Sequence, residues 1–256
     1  MSEIFFTERG SGSSVILLHG FPFHSAIWEG FAEKLGKEFK IYTPDLPGFG
    51  KSKGLGSNFT IEKVAQEIIS WIEKNKIGQS VLLGHSLGGY VALAVAEKNP
   101  ELLSGLILFH STAYADNEEK KQSRNKVIEF IDKNGAEAFT SNFIAPLFYN
   151  QKHPAIEKVR AIAIQAKADT VKGYTLAMRD REDRTNILKI FPHPILFIGG
   201  ENDGGIKPES LKEQASIATQ SQLYIFPEVA HMGMFENEKK SLEIISAFIR
   251  KVPVTR

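Results

Sequence analysis

A serine stands two residues from glycine on either side in Gly84-His85-Ser86-Leu87-Gly88, directly after the apolar run Ser80 to Leu83 and directly before a helical pattern. A nucleophilic serine calls for such a place. On a sharp strand-to-helix turn its neighbours must be small for strand and helix to close up, and the helix aims its first N–H groups and the positive end of its dipole where an oxyanion develops. The pentapeptide alone carries little weight in a chain with 21 glycines; its position between strand and helix carries much more. A serine hydroxyl is a poor nucleophile at neutral pH, so a base must take its proton and an acid must fix that base's tautomer. Seven histidines are available. His19 and His24 lie near the first strong strand, His85 adjoins the serine on a divergent bond, and His110 ends a strand. His153 lies in a charged helical stretch and His193 between two prolines. His231, in a loop after the last strand, is the one expected to reach Ser86.

The acid should also follow a strand, and Ile195 to Ile198 leads into Gly199-Gly200-Glu201-Asn202-Asp203. Asp203 is the expected partner of His231, with Glu201 a near rival and Asp116 a more distant one. The structural alternative for Asp203 is an Asx turn or a cap for the helical pattern from Ile206 to Ala218. Two backbone N–H groups complete the expected set of oxyanion donors: that of Leu87, next to the serine, and that of Phe21, in the turn His19-Gly20-Phe21-Pro22.

Positioning these residues falls to a series of short apolar runs, read as buried strands: Val15 to Leu18, Lys40 to Thr43, Ser80 to Leu83, Leu103 to Phe109, Ile195 to Ile198 and Gln222 to Phe226, with a weaker one at Glu3 to Thr7. Helical patterns alternate with them. Ile61, Val64, Ala65, Ile68 and Ile72 form one stripe behind a Thr60 N-cap, and Val91 to Lys98 and Leu242 to Arg250 follow. The expected fold is α/β, a doubly wound and mostly parallel sheet with ligands beyond the carboxyl ends of its strands. Between residues 111 and 188 the alternation stops, and charged helical patterns at Asn117 to Lys133 and Ala155 to Lys167 have no strand between them. The chain is therefore divided into a core of residues 1–110 and 189–256 and a helical insertion of residues 111–188.

The remaining composition narrows the function. With 31 Lys and Arg against 30 Asp and Glu, the net charge of +1 offers no broad attraction to nucleic acid or an anionic membrane, and a small neutral or weakly polar ligand is the default partner. The absence of cysteine removes thiolate nucleophiles, disulfides and Cys-ligated metals. Met1-Ser2-Glu3-Ile4-Phe5-Phe6-Thr7-Glu8 has acids where an export signal has basic residues, and no apolar run approaches the roughly 20 residues of a membrane span, so a cytoplasmic protein is expected. Gly50-Lys51-Ser52 imitates the end of a phosphate-binding loop. The position five residues before Gly50 is Asp45, whose carboxylate would repel phosphate, so a tight self-contained loop is expected instead.

Taken together, His19-Gly20, Asp45-Leu46-Pro47-Gly48-Phe49-Gly50-Lys51-Ser52, Gly84-His85-Ser86-Leu87-Gly88-Gly89, Gly200-Glu201-Asn202-Asp203 and His231 resemble the α/β-hydrolase superfamily over nearly the whole chain, in its order Ser, Asp, His. The resemblance implies an α/β-hydrolase core, makes residues 111–188 the helical cap over the active site, and matches Trp28 to the aromatic that follows the His-Gly loop. Haloalkane dehalogenases and epoxide hydrolases share the layout but place Asp where this chain has Ser86. The serine implies acyl transfer on a small carboxylic ester, lactone or thioester, with C–C bond hydrolysis and cofactor-free perhydrolysis as alternatives on the same residues. The stretch Ala177 to Asp183 is similar to small carboxylesterases and enol-lactonases. No metal or organic cofactor is called for, and a monomer or a homodimer is compatible. A non-catalytic ligand receptor using the same cleft is the rival from another class. Phe23, Phe143, Phe148, Met232 and Met234 are candidates for a pocket lining, with core packing the better reading for each.

Overall fold

The computed structural model describes residues 3–56 and 58–252; Met1 and Ser2, the start of the N-terminal stretch read above, lie outside the described residues. Seven strands form one sheet in the order β1-β3-β2-β4-β5-β6-β7. They are β1 (Phe6–Arg9), β2 (Ser14–Leu18), β3 (Lys40–Pro44), β4 (Ser80–His85), β5 (Leu103–Phe109), β6 (Ile195–Gly200) and β7 (Ser221–Phe226). All neighbours pair in parallel except β1, which runs antiparallel to β3.

Alternate residues of each strand serve opposite faces, as the period of 2 requires. Ile16, Leu18, Leu82, Leu106 and Leu108 join one apolar core with α2 (Ile61–Lys74) and α3 (Leu87–Lys98). Val15, Leu17, Val81, Leu83 and Ile107 join another with α1 (Glu29–Leu35) and, at the far end of the chain, the C-terminal helix Glu238–Lys251. Both faces being covered, the central strands read as continuous apolar runs. Helix α2 begins where expected, the Thr60 hydroxyl accepting from the Lys63 N–H at 3.3 Å.

Between β5 and β6 run only helices: α4 (Glu118–Asn134), α5 (Ala136–Phe143), α6 (Ala155–Ala163), α7 (Ala168–Arg179) and α8 (Thr185–Ile190). The expected single helix from Ala155 to Lys167 is corrected here. Helix α6 stops at Ala163 in tight turns, with Gln165 and Ala166 N–H groups bonding to the carbonyls of Ile162 and Ala163, and Lys167 is extended before α7. That break lets α7 turn Val171 and Tyr174 into the core. The helical segment is tied to α2, α3 and the end of β3 by polar contacts of two buried side chains: Arg184 reaches Glu62 at 2.5 Å and Glu97 at 3.0 Å, and the Tyr174 hydroxyl donates to the Pro47 carbonyl, just past β3, at 2.9 Å. After β6 come α9 (Pro208–Ile217), then, beyond β7, α10 (Gly233–Glu236) and α11, the C-terminal helix named above. The helical pattern expected from Ile206 thus starts at Pro208. The weak first strand is also shifted, from Glu3–Thr7 to Phe6–Arg9, because it is a half-exposed edge with no apolar run of its own. Among the described residues, no helix is long and apolar enough to cross a membrane.

Candidate active site

The strand order reverses between β2 and β4: β3 lies on one side of β2, and β4 on the other. Crevices at such switch points, at the carboxyl ends of the strands, are where open α/β sheets hold ligands. The turns after β2 and β4 meet there. A Cβ on Gly88 would lie 2.4 Å from the Leu18 carbonyl oxygen, and one on Gly84 would lie 2.3 Å from the carbonyl oxygen of Gly88 itself. Only bare backbone lets α3 start so close to the strands. Ser86, between these glycines, takes φ 50° and ψ −115°, a left-handed conformation that costs a β-carbon-bearing residue energy. It is held by its N–H to the Phe109 carbonyl at 3.0 Å and by the Ser111 hydroxyl donating to its own carbonyl at 2.7 Å.

Asp203 follows β6 and is 2% exposed. Its Oδ2 lies 2.7 Å from His231 Nδ1 and 3.1 Å from His110 Nδ1. Its Oδ1 accepts from the N–H groups of Gly205 and Ile206 at 2.9 and 3.0 Å. The expected acid and the Asx-turn alternative are therefore both present, one on each oxygen. Burial opposes ionisation of Asp203, but the adjoining imidazoles and these hydrogen bonds outweigh it, and the carboxyl is held well below the usual carboxylate range. An ionised carboxylate only accepts, so both imidazoles carry their proton on Nδ1. In the neutral form of the ring, His231 Nε2 is then the atom with a lone pair, which is the state a general base needs.

Ser86, Asp203 and His231 line one cavity of about 480 Å³, closed over by residues of α4, α5 and α7 and by Pro146 and Leu147. Phe21 lines it as well. The Leu87 side chain is buried beneath. Among the described residues, neither the Phe21 nor the Leu87 N–H has a hydrogen-bond acceptor. The turn that presents Phe21 is built by His19, whose Nδ1–H donates to the Gly20 carbonyl and whose Nε2 accepts from the Leu46 N–H, each at 2.9 Å. Burial lowers the His19 pKa to about 4, so the ring is neutral in both roles. Trp28 is buried with its ring edge-on to His85, whose Nε2–H donates to the His231 carbonyl at 2.9 Å.

Neither rival acid is bonded to His231. Glu201 is exposed, and Asp116 is paired with Arg124 at 3.0 Å and Arg181 at 2.7 Å. His24, His153 and His193 are remote from Asp203 in their bonding: His24 and His153 accept from nearby backbone N–H groups, and His193 packs on Phe191. Of the candidate lining residues only Phe143 faces the cavity, while Phe23, Phe148, Met232 and Met234 are core. The loop at Gly50-Lys51-Ser52 is spent on itself: Asp45 accepts from the Ser25 and Lys51 N–H groups, and Gly50, at φ 53°, leaves no room for a Cβ beside that carboxylate.

Sequence reasoning missed three supports. His110 directly follows β5, which lies between β4 and β6, so the strand order alone would have put it beside both Ser86 and Asp203. Leu147 accepts from the His231 N–H at 2.9 Å. Glu236 takes the N–H of Tyr149 on one oxygen, at 2.5 Å, and that of Ala230 on the other, at 3.0 Å, clasping the histidine loop to the helical segment. An acid five residues after His231 was the one available signal. His110, Asp203 and His231 bring ligand-type atoms within 4.8 Å of one another. With Asp203 ionised, the two nitrogens that converge there each donate to the same carboxylate oxygen.

Comparison with known proteins agrees with this geometry at the level of fold. A family model described as alpha/beta hydrolase fold matches residues 13–238. The structure of a thermophilic esterase from Thermogutta terrifontis superposes with a TM-score of 0.92 at 32% identity, covering 99% of this chain and 95% of that one. The enol-lactonase from Burkholderia xenovorans superposes with a TM-score of 0.89 at 17% identity, over 98% of this chain and 97% of that one. In sequence, a pimeloyl-[acyl-carrier protein] methyl ester esterase of Sodalis glossinidius is 26% identical over 240 residues, 90% of this chain and 91% of that protein.

Proposed function

The chain belongs to the alpha/beta hydrolase fold family, and from that premise we propose that it is a serine esterase acting on a small carboxylic ester through an acyl-enzyme. The observation that carries the reading is the 2.7 Å contact between His231 Nδ1 and Asp203 Oδ2 in the wall of the same cavity that Ser86 lines. Supporting it, the similar proteins named above are esterases and an enol-lactonase.

In this reading His231 Nε2 takes the Ser86 proton as the hydroxyl oxygen attacks the ester carbonyl. Asp203 keeps the ring in the Nδ1–H tautomer and balances the charge that develops on it. The N–H groups of Leu87 and Phe21 stabilise the oxyanion, Leu87 with the N-terminus of α3 behind it. His231 then protonates the departing alkoxide. A water molecule, deprotonated by the same nitrogen, attacks the acyl-enzyme, and His231 returns that proton to Ser86 Oγ as the acid leaves. Residues 111–188 act as a cap that sizes the acyl pocket, with Phe21, Phe139 and Phe143 as its apolar wall.

Turnover of p-nitrophenyl esters from acetate to palmitate, measured beside Ser86→Ala, tests the proposal. Ser86-dependent hydrolysis with a chain-length optimum is expected. Turnover that persists in the variant overturns it.

A further inference from the structure

The cavity over Ser86 has two kinds of wall. Phe21, Phe139 and Phe143 form an aromatic group with ring centroids 5.3 to 6.2 Å apart. The cavity is also lined by Asp116, Lys120 and Arg124, the last two from α4. Asp116 is 4% exposed and its single negative charge is shared between two guanidinium groups, Arg181 on Oδ1 at 2.7 Å and Arg124 on Oδ2 at 3.0 Å. Arg181 is committed to the protein: it donates to the carbonyls of Met178 and Tyr114 and lies 4.1 Å over the Tyr90 ring.

Arg124 is not so committed. Its side chain keeps 26% of its exposure, its Nε alone is engaged, and among the described residues its two terminal nitrogens have no hydrogen-bond partner. A guanidinium held through Nε still offers the paired N–H groups of its outer edge, the geometry that matches a carboxylate. Lys120 adds a second positive charge and gives one of its three protons to the Gly205 carbonyl at 3.1 Å. Both oxygens of Asp203, the other acid in the wall, already accept from histidine and backbone donors. The wall therefore carries two cationic side chains, Lys120 and Arg124, and two carboxylates, Asp116 and Asp203, whose oxygens are already engaged by protein donors, beside an apolar face suited to methylene groups.

We propose that Arg124, assisted by Lys120, is an anion subsite of the Ser86 cavity, and that the substrate is an ester whose acyl chain ends in a carboxylate, a half-ester of an aliphatic dicarboxylic acid. The inference rests on the esterase reading. In it, the aromatic group receives the methylene spacer, Arg124 pairs with the distal carboxylate, and the spacer length sets whether the ester carbonyl reaches Ser86. The Asp116 contact holds the guanidinium in place before substrate arrives, which reduces the ordering cost of binding.

The test compares monomethyl esters of succinate through suberate with methyl alkanoates of equal length, followed by proton release. Wild-type protein is expected to prefer the half-ester roughly 10- to 100-fold in kcat/KM at one spacer length, the range for a charge-assisted hydrogen-bonded pair, chiefly through KM. Arg124→Leu is expected to bring that ratio close to one, Arg124→Lys to keep part of it, and Lys120→Met to lower it less. Thermal melts of each variant check folding. Ser86-dependent turnover of neutral esters with no half-ester preference, or a preference that survives in folded Arg124→Leu, overturns the inference and leaves the esterase reading standing. Calorimetric titration of Ser86→Ala with glutarate and adipate separates the reverse case. Arg124-dependent binding there supports the subsite even if no ester is turned over; no binding, together with no half-ester preference, overturns it.

Discussion

His110 donates its Nδ1–H to the same Asp203 oxygen that receives His231, at 3.1 Å against 2.7 Å. Asp203 is thereby held by two rings and two backbone N–H groups, while each ring keeps one well-defined tautomer. The arrangement makes Asp203 a rigid anchor for the loop that carries His231. It also assigns different kinds of work to groups that look alike in sequence.

Removing His110 takes a donor from a buried carboxylate but leaves the shorter His231 bond. His110→Ala is expected to lose roughly 2–4 kcal/mol of stability, from the lost charged hydrogen bond and the cavity, and no more than about tenfold in kcat. Urea unfolding and steady-state kinetics on the same preparation check both; a loss of kcat comparable to that of Ser86→Ala would instead place His110 in the chemistry.

Asp203 and Asp116 separate in the opposite sense. Asp203→Asn disturbs the tautomer that presents the His231 lone pair, and a kcat loss on the order of 10⁴ is expected from the cost of such a change in a comparable triad. Asp116→Asn leaves that tautomer intact and instead leaves Arg181, which is 6% exposed, short of its counter-charge, so the main cost falls on stability, roughly 3–5 kcal/mol. Kinetics and thermal melts of the two variants side by side decide between them.

Acid should weaken the fold before it protonates Asp203. Burial lowers the pKa of His19 to about 4, while an unfolded histidine titrates near 6.5. The unfolded chain therefore binds more protons throughout that interval, and stability is complete above about pH 6.5 and declines as pH falls towards 4, by roughly 3 kcal/mol for this group alone. Burial lowers His85 and His110 in the same direction. For Asp203, whose folded pKa is depressed, stabilisation is present above the unfolded value near 4 and dissipates below it. Urea midpoints from pH 7.5 to 4 should fall steadily, and folded His19→Asn should show a shallower slope over the same range; an unchanged slope would contradict the assignment.

Gly88 should tolerate no side chain. Its added Cβ would meet the Leu18 and His19 carbonyl oxygens at 2.4 and 2.8 Å, both backbone atoms. Gly88→Ala is expected to cost more than about 3 kcal/mol or to abolish soluble expression. Gly30, with open space where a Cβ would sit, is the control in melting experiments.

The central strands were legible because strands buried on both faces become uninterrupted apolar runs, and β5 matches its expected bounds of Leu103–Phe109. The turn around Ser86 was legible because steric closeness leaves glycine as the residue that fits at positions 84 and 88. Edge strand β1 was misplaced by two to three residues, since an exposed edge imposes no apolar pattern. The break after Ala163 was invisible because the helical periodicity of α6 and α7 runs on through a turn that tertiary packing imposes. His110, Leu147 and Glu236 were not found because their work is done through contacts between distant segments, and in the case of Leu147 through a backbone carbonyl that leaves no side-chain signature.

The central claim is that Ser86 is a nucleophile activated by His231. Incubation with a fluorophosphonate followed by intact-mass analysis tests it most directly, with peptide mapping of the adduct. The account predicts a single adduct on Ser86 in the wild-type protein, no adduct in Ser86→Ala, and strongly slowed labelling in folded His231→Ala. Labelling of Ser86→Ala at the wild-type rate, or retention by that variant of more than about a thousandth of ester turnover, would contradict it.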